Sequence, residues 1–162
     1  MKICFTGHRP NKLPNPKTGY DTTNPTYTFL RRETEKWLLE LKPDETISGM
    51  ALGFDWIGAE VSIKLGIPFI AAVPFIGQES IWPEHSKKQY RELLAKAKEV
   101  VIVSEGSYSV EKMQVRNCWM VDHSDDVIAC FDGTKGGTKN CVDYATKKGK
   151  RIYCIDPTQA PK

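Results

Sequence analysis

Three turns in this sequence combine glycine with residues that bind anions or carry protons. The first is Thr6-Gly7-His8-Arg9-Pro10. Gly7 lets backbone come close to a ligand, and Arg9 offers a planar fork suited to phosphate or carboxylate. His8 changes charge near neutrality and can donate, accept or shuttle a proton. The plainer alternative is a tight turn with an exposed arginine. The second turn is Ser48-Gly49-Met50-Ala51-Leu52-Gly53-Phe54-Asp55. Gly49 and Gly53, with Met50 between them, fit a turn whose amides face an anion above a helix N-terminus. It is neither a G-x-G-x-x-G fingerprint nor a G-x-x-x-x-G-K-[ST] loop. Asp55 suits a ribose hydroxyl or, equally, a helix cap. The third turn is Asp132-Gly133-Thr134-Lys135-Gly136-Gly137-Thr138. Its glycines, hydroxyls and lysine precede a helical pattern, so successive amides and the helix dipole favour a phosphate, with a flexible hairpin-like turn as the plainer alternative.

A fourth feature is the helical segment Met113-Gln114-Val115-Arg116-Asn117-Cys118-Trp119-Met120. Helical spacing puts Arg116 and Asn117 on one face with Met113 and Met120, and polar groups in an apolar stripe need partners if buried. A structural hydrogen bond to a neighbouring loop is the alternative to ligand binding. Trp56, Trp82 and Trp119 suit base stacking, although such aromatics more often pack in a core. The five cysteines form no C-x-x-C pair, so neither a disulfide framework nor a zinc site is indicated. Neither a metal nor a resident cofactor is expected. Cys4, Cys130 and Cys154 lie in apolar runs and read as buried, inert thiols.

The elements that must position these residues alternate. Strand-like runs occur at Lys2–Thr6, Glu45–Ser48, Ile67–Val73, Glu99–Val103, Asp126–Phe131 and Arg151–Ile155. Most are short and continuously apolar, as parallel strands covered on both faces are. Between them lie amphipathic segments, such as Leu30, Thr34, Trp37, Leu38 and Leu41 at helical spacing. Gly66 with Pro68 stops the helix that starts near Asp55, and Gly149 stops the last. The pattern predicts a three-layer α/β Rossmann-like fold: a mainly parallel sheet of about six strands with helices on both faces. Residues 1–162 read as a single domain. Ligands of such sheets bind beyond the carboxyl ends of the strands, where all three turns lie. Pro10 to Asn24 is a long Pro- and Asn-rich connection, a kind that is usually functional or disordered.

Composition narrows the function. The 162 residues carry 23 Lys+Arg against 20 Asp+Glu, a net charge of +3, which disfavours a dedicated duplex-DNA binder. The stretch Leu65–Gln78 has no charge but is broken by two prolines, and a membrane-spanning helix needs about 18–20 apolar residues. With no secretory apolar run before Thr6, a cytoplasmic location is expected.

Taken together, these motifs resemble the YpsA-like family of the SLOG superfamily. Pro74-Phe75-Ile76-Gly77-Gln78 with Trp82-Pro83, and Arg116–Asp125, belong to the same match, which runs from Met1 to about Pro157. The resemblance implies a Rossmann-like domain that binds nucleotides or nucleotide-derived ligands. Some relatives are thought to sense such signals, and others cleave the N-glycosidic bond of nucleoside monophosphates. Cytokinin-activating phosphoribohydrolases of the superfamily carry an M-x-x-R-K-x-x-M helix, then Ser-Asp, a strand and P-G-G-x-G-T-x-x-E. Arg116, Ser124-Asp125 and Gly137-Thr138 match that pattern, whereas Asp132-Gly133 replaces Pro-Gly and Cys141 stands where the catalytic glutamate belongs. A thiol is a poor substitute for a carboxylate that stabilises an oxocarbenium-like centre. The expectation is therefore nucleotide binding or sensing without catalysis. Gly7, His8, Arg9, Gly49, Met50, Gly53, Asp55, Arg116, Asn117, Gly133, Thr134, Gly136, Gly137 and Thr138 are the candidate ligand residues. The alternatives are a nucleoside monophosphate N-glycosidase, with Arg116, His8, Asp55 and Asp132 as catalytic candidates, and a single-strand nucleic-acid binder, which the weak charge disfavours. Homo-oligomerisation is left open.

Overall fold

Every strand pairs in parallel. The computed structural model describes residues 1–14 and 21–160. Its strands are β1 (Lys2–Gly7), β2 (Glu45–Ser48), β3 (Phe69–Val73), β4 (Glu99–Ile102), β5 (Asp126–Cys130) and β6 (Arg151–Ile155). The helices are α1 (Pro25–Leu41), α2 (Phe54–Lys64), α3 (Glu84–Ala95), α4 (Val110–Asp122) and α5 (Gly137–Lys147). The sheet order is β4-β3-β2-β1-β5-β6. From β1 the chain steps outward to β4, then returns to place β5 on the other side of β1. The order reverses there, with Ile3 paired to Asp126 and Gly7 to Cys130. A crevice opens at such a reversal, beyond the carboxyl ends of the two strands.

Alternating side chains assign the two faces. Ile3, Phe5, Ile128 and Cys130 meet Leu30 and Leu38 of α1 and Phe54, Ile57 and Val61 of α2. Cys4, Val127 and Ala129 meet Met120 and Val121 of α4 and Cys141 and Ala145 of α5. A further cluster joins Phe69, Ala71 and Val73 to Trp56 of α2 and to Tyr90 and Leu93 of α3. Each large side chain so buried contributes about 1.5–3 kcal/mol. Helices are started by local chemistry. Asn24 accepts from the Tyr27 amide with Pro25 at the first helical position of α1, and Ser109 accepts from the Lys112 amide at the start of α4.

Several expectations shift. β1 extends to Gly7, while β4 and β5 end at Ile102 and Cys130. β3 begins at Phe69, because Gly66 at φ +72° and then Pro68 still belong to the turn. β4 is an edge strand and is not covered on both faces: Val100 and Ile102 are 44% and 42% exposed. Cys154, on the other edge strand, is exposed rather than buried, whereas Cys4 and Cys130 are buried as expected. In the long first connection, Pro10–Lys12 form a 3-10 turn and Leu13 is buried in the core. Residues 15–20 of that connection lie outside the described residues. No described helix is long and apolar enough to cross a membrane.

Candidate functional site

The crevice at the sheet reversal holds a cavity of about 440 Å³. Its floor is the end of β1, its walls are α4 and the start of α5, and the Pro10–Lys12 turn forms part of its rim. His8 and Asp132, which follow β1 and β5, meet across the reversal. His8 Nε2 lies 2.8 Å from Asp132 Oδ1, and the Thr134 amide and hydroxyl donate to the same oxygen at 3.0 and 2.6 Å. The Thr134 hydroxyl, before the other partners, holds the Asp132 carboxyl well below the usual carboxylate range. The Asp132 amide also donates to His8 Nε2, at 3.3 Å, so this ring nitrogen meets both the backbone and the carboxylate of Asp132. His8 Nδ1 is buried without a partner among the described residues.

At the start of α5 the cap residue is Gly136, at φ +147°, and no side chain caps the helix. The first amides of α5 therefore open toward the cavity, which Gly136, Gly137 and Thr138 line. Lys12, which sequence reasoning missed, reaches over this turn. Its ammonium donates to the Lys135 carbonyl and, at 3.3 Å, to the Thr134 hydroxyl. The only sequence signal for it was its place four residues after His8. Arg9 is exposed and lines the same cavity, and among the described residues it forms no ion pair. Gly133 and Thr134 shape the turn but do not line the cavity.

Arg116 is buried, and its role is fixed from both sides. Nη1 donates to the Gly49 carbonyl at 2.6 Å and to the Ala72 carbonyl at 3.4 Å, while Nε donates to Asn117 Oδ1 at 3.0 Å. Arg116 and Asn117 both line the cavity. Asp55 lines it too, and burial pushes its carboxyl up from the usual range against the pull of the Arg116 charge.

The Ser48–Asp55 turn departs from the open anion cradle that its spacing suggested. The Met50 amide donates to Ser48 Oγ, the Ala51 amide to Asp55 Oδ2, and the Phe54 amide to the His8 carbonyl. The glycines are required by close packing. A Cβ on Gly49 would lie 2.6 Å from Arg116 Nη1, and one on Gly53, at φ +100°, would lie 2.5 Å from the His8 carbonyl oxygen. Gly7 likewise gives room to Phe54, while its backbone still lines the cavity. Met50 is fully buried at φ +61°, a conformation uncommon for a residue with a Cβ. Asp55 braces this turn; the cap of α2 is Gly53. Gly49, Met50 and Gly53 thus support the site from behind.

Cys141, which the sequence resemblance aligns with the phosphoribohydrolase glutamate, sits in the second turn of α5 and does not line the cavity. It is buried behind Thr6, whose hydroxyl bonds its sulfur, and burial pushes the thiol up to about 11. Of the three tryptophans considered, Trp56 is core and Trp119 stacks on His123 at 4.0 Å. Trp82 borders a second cavity of about 330 Å³, adjoining the first. Among the described residues, no cluster of His, Cys, Asp and Glu suits a metal ion.

Comparison with known proteins places this geometry in a family. The YpsA model, YspA SLOG family, matches residues 3–160. The uncharacterized SPbeta prophage-derived protein YoqJ of Bacillus subtilis (strain 168) is 34% identical, over 83% of this chain and 91% of the relative. A UPF0398 protein of Bacillus thuringiensis (strain Al Hakam) is 28% identical, over 91% and 84%. Among solved structures, DNA processing protein A (DprA) from Streptococcus pneumoniae superposes with a TM-score of 0.67 at 16% identity, covering 96% of this chain. DprA from Helicobacter pylori, whose structure concerns single-stranded DNA binding, gives 0.67 at 21% identity, and TM1055 gives 0.58 at 17%. This chain spans 50% and 65% of the two DprA chains, and the likeness is one of fold. The reversal crevice, the glycine-opened α5 and the match over nearly the whole sequence lead to one conclusion: the chain belongs to the YpsA family of SLOG proteins.

Proposed function

We propose that the chain binds a nucleotide or nucleotide-derived ligand, with its phosphate at the N-terminus of α5. The observation that carries the reading is the coincidence, in one cavity, of uncapped α5 amides at Gly136–Thr138 with three cationic side chains, Arg9, Lys12 and Arg116. Helix amides, the helix dipole and guanidinium groups all stabilise the same oxyanion. Binding without turnover fits the burial of Cys141 outside the cavity. Calorimetric titration with inorganic phosphate, ribose 5-phosphate and nucleoside monophosphates tests it. Arg9→Ala with Lys12→Ala is expected to weaken binding of any phosphorylated ligand by about 1.5–3 kcal/mol per lost charge-assisted bond. Unchanged affinity in the double variant sinks the assignment.

A second reading, a nucleotide N-glycosidase, is favoured by Asp55, a buried carboxyl that does line the cavity. Its raised pKa is compatible with acid catalysis at the glycosidic bond. Free base released from nucleoside monophosphates by the wild type, and abolished in Asp55→Asn, replaces the sensing reading with this one. The DprA likeness keeps a third reading in view, single-stranded DNA binding. A salt-dependent mobility shift with oligothymidine decides it.

A further inference from the structure

The second cavity shares Arg9, Asn11, Ala51, Tyr108 and Met113 with the first, so the two form one continuous cleft. Its own wall is different in kind. Phe75, Ile81 and Trp82 line it, with a single buried amide, Gln78. Trp82 is held by edge contacts to Trp56 and Tyr90, at ring separations of 5.8 and 5.2 Å. An apolar, aromatic wall with one placed polar group is the usual make-up of a site for a flat organic group.

The orientation of that amide follows from chemistry. Gln78 Nε2 lies 3.2 Å from the Gly49 carbonyl, which can only accept, and 3.3 Å from the Tyr90 hydroxyl. With the NH₂ end committed there, Oε1 is the group Gln78 offers to the cavity it lines. The same Gly49 carbonyl takes Arg116 Nη1 at 2.6 Å, so one backbone group sets a polar side chain in each half of the cleft.

We propose that the second cavity is the base subsite and that Gln78 Oε1 accepts a hydrogen bond from an exocyclic amino group on the base. The ligand is then a nucleotide of adenine, guanine or cytosine, with its phosphate at α5 and its ring against Trp82. Uracil and hypoxanthine are disfavoured because they carry no exocyclic amino group: each offers Oε1 only a ring N–H, beside two carbonyl oxygens in uracil and one in hypoxanthine. This inference rests on the phosphate assignment above and adds the base and its selection rule.

Titration calorimetry of the full chain with matched pairs tests it. AMP is compared with purine riboside 5′-monophosphate, CMP with pyrimidin-2-one riboside 5′-monophosphate, and GMP with IMP; ribose 5-phosphate serves as the base-free probe. At least one amino-bearing nucleotide is expected to bind about 10-fold or more tightly than its partner lacking the amine. That preference should fall below about 2-fold in Gln78→Met. Trp82→Ala should weaken every nucleotide and leave ribose 5-phosphate unchanged. No preference in any wild-type pair, or a preference that survives in a folded Gln78→Met, overturns the proposal. If ribose 5-phosphate binds as tightly as the best nucleotide, the base subsite fails while the anion site stands. If neither it nor any nucleotide binds, both fail.

Discussion

Cys141 shows how one position can be aligned by sequence yet separated from the chemistry by packing. The glycine turn puts it in register with a catalytic glutamate, and a thiol near a helix N-terminus is often activated. Here it lies among Cys4, Met120 and Ala145, one layer behind Thr6. Desolvation dominates, and its pKa rises to about 11. Restoring a carboxylate at this site therefore places a charge in the core. Cys141→Glu is expected to destabilise the protein by several kcal/mol without creating glycosidase turnover. Cys141→Ser should bind nucleotide like the wild type and release no base. Base release by the wild type that is lost in Cys141→Ser makes Cys141 catalytic and overturns this account. Thiol labelling gives a second check. At pH 8 exposed Cys154 should react well before Cys141, and the reverse order contradicts the burial.

At the scale of elements, close approaches set the architecture. The α2 helix lies so near β1 that a Cβ on Gly58 would come within 2.4 Å of the Phe5 ring. Gly58→Ala should cost about 1–3 kcal/mol through overpacking, and its melting temperature should fall while nucleotide affinity holds, because Gly58 lines neither cavity. Gly49→Ala should lose affinity as well as stability, because its Cβ would displace the Arg116 guanidinium and the Asp55 carboxylate. Unchanged affinity in Gly49→Ala removes Arg116 placement from the binding argument. This contrast also marks where the sequence was legible. Apolar runs and their stops gave all six strands within two residues, because doubly covered strands tolerate little else. The exceptions are at the sheet edges, where Val100, Ile102 and Cys154 keep an apolar look with only partial cover. Glycine spacing was ambiguous: Gly136 opens a helix to the cavity, while Gly49 and Gly53 make room for side chain and backbone behind it. Lys12 and Tyr108 escaped notice, and Gln78 was read only as part of a family motif, because the chain fold, not local spacing, brings them to the cleft.

For the whole molecule, the cleft lies where the sheet changes direction, and its walls come from widely separated parts of the chain. The end of β1, the turn before α2, the α4 helix and the start of α5 all contribute. In the unfolded chain these groups are dispersed, so a ligand held by all of them binds the folded state alone. Its binding energy then adds to global stability as RT ln(1 + [L]/Kd), about 2.7 kcal/mol at 100 times Kd. For a chain of this length 1 kcal/mol corresponds to about 2–4 °C, so saturating nucleotide should raise the melting temperature by about 5–11 °C. Arg9 and Lys12 are exposed cations whose attraction is screened. The shift should therefore shrink as sodium chloride rises from tens to hundreds of millimolar, and shrink further in Arg9→Ala with Lys12→Ala. Differential scanning fluorimetry with AMP, GMP and CMP, and with unphosphorylated ribose at the same concentration, provides the measurement. Ribose should give no shift. An equal shift from ribose, or a nucleotide shift indifferent to both salt and the two substitutions, places the stabilisation outside the α5 anion site and removes the phosphate from the account of binding.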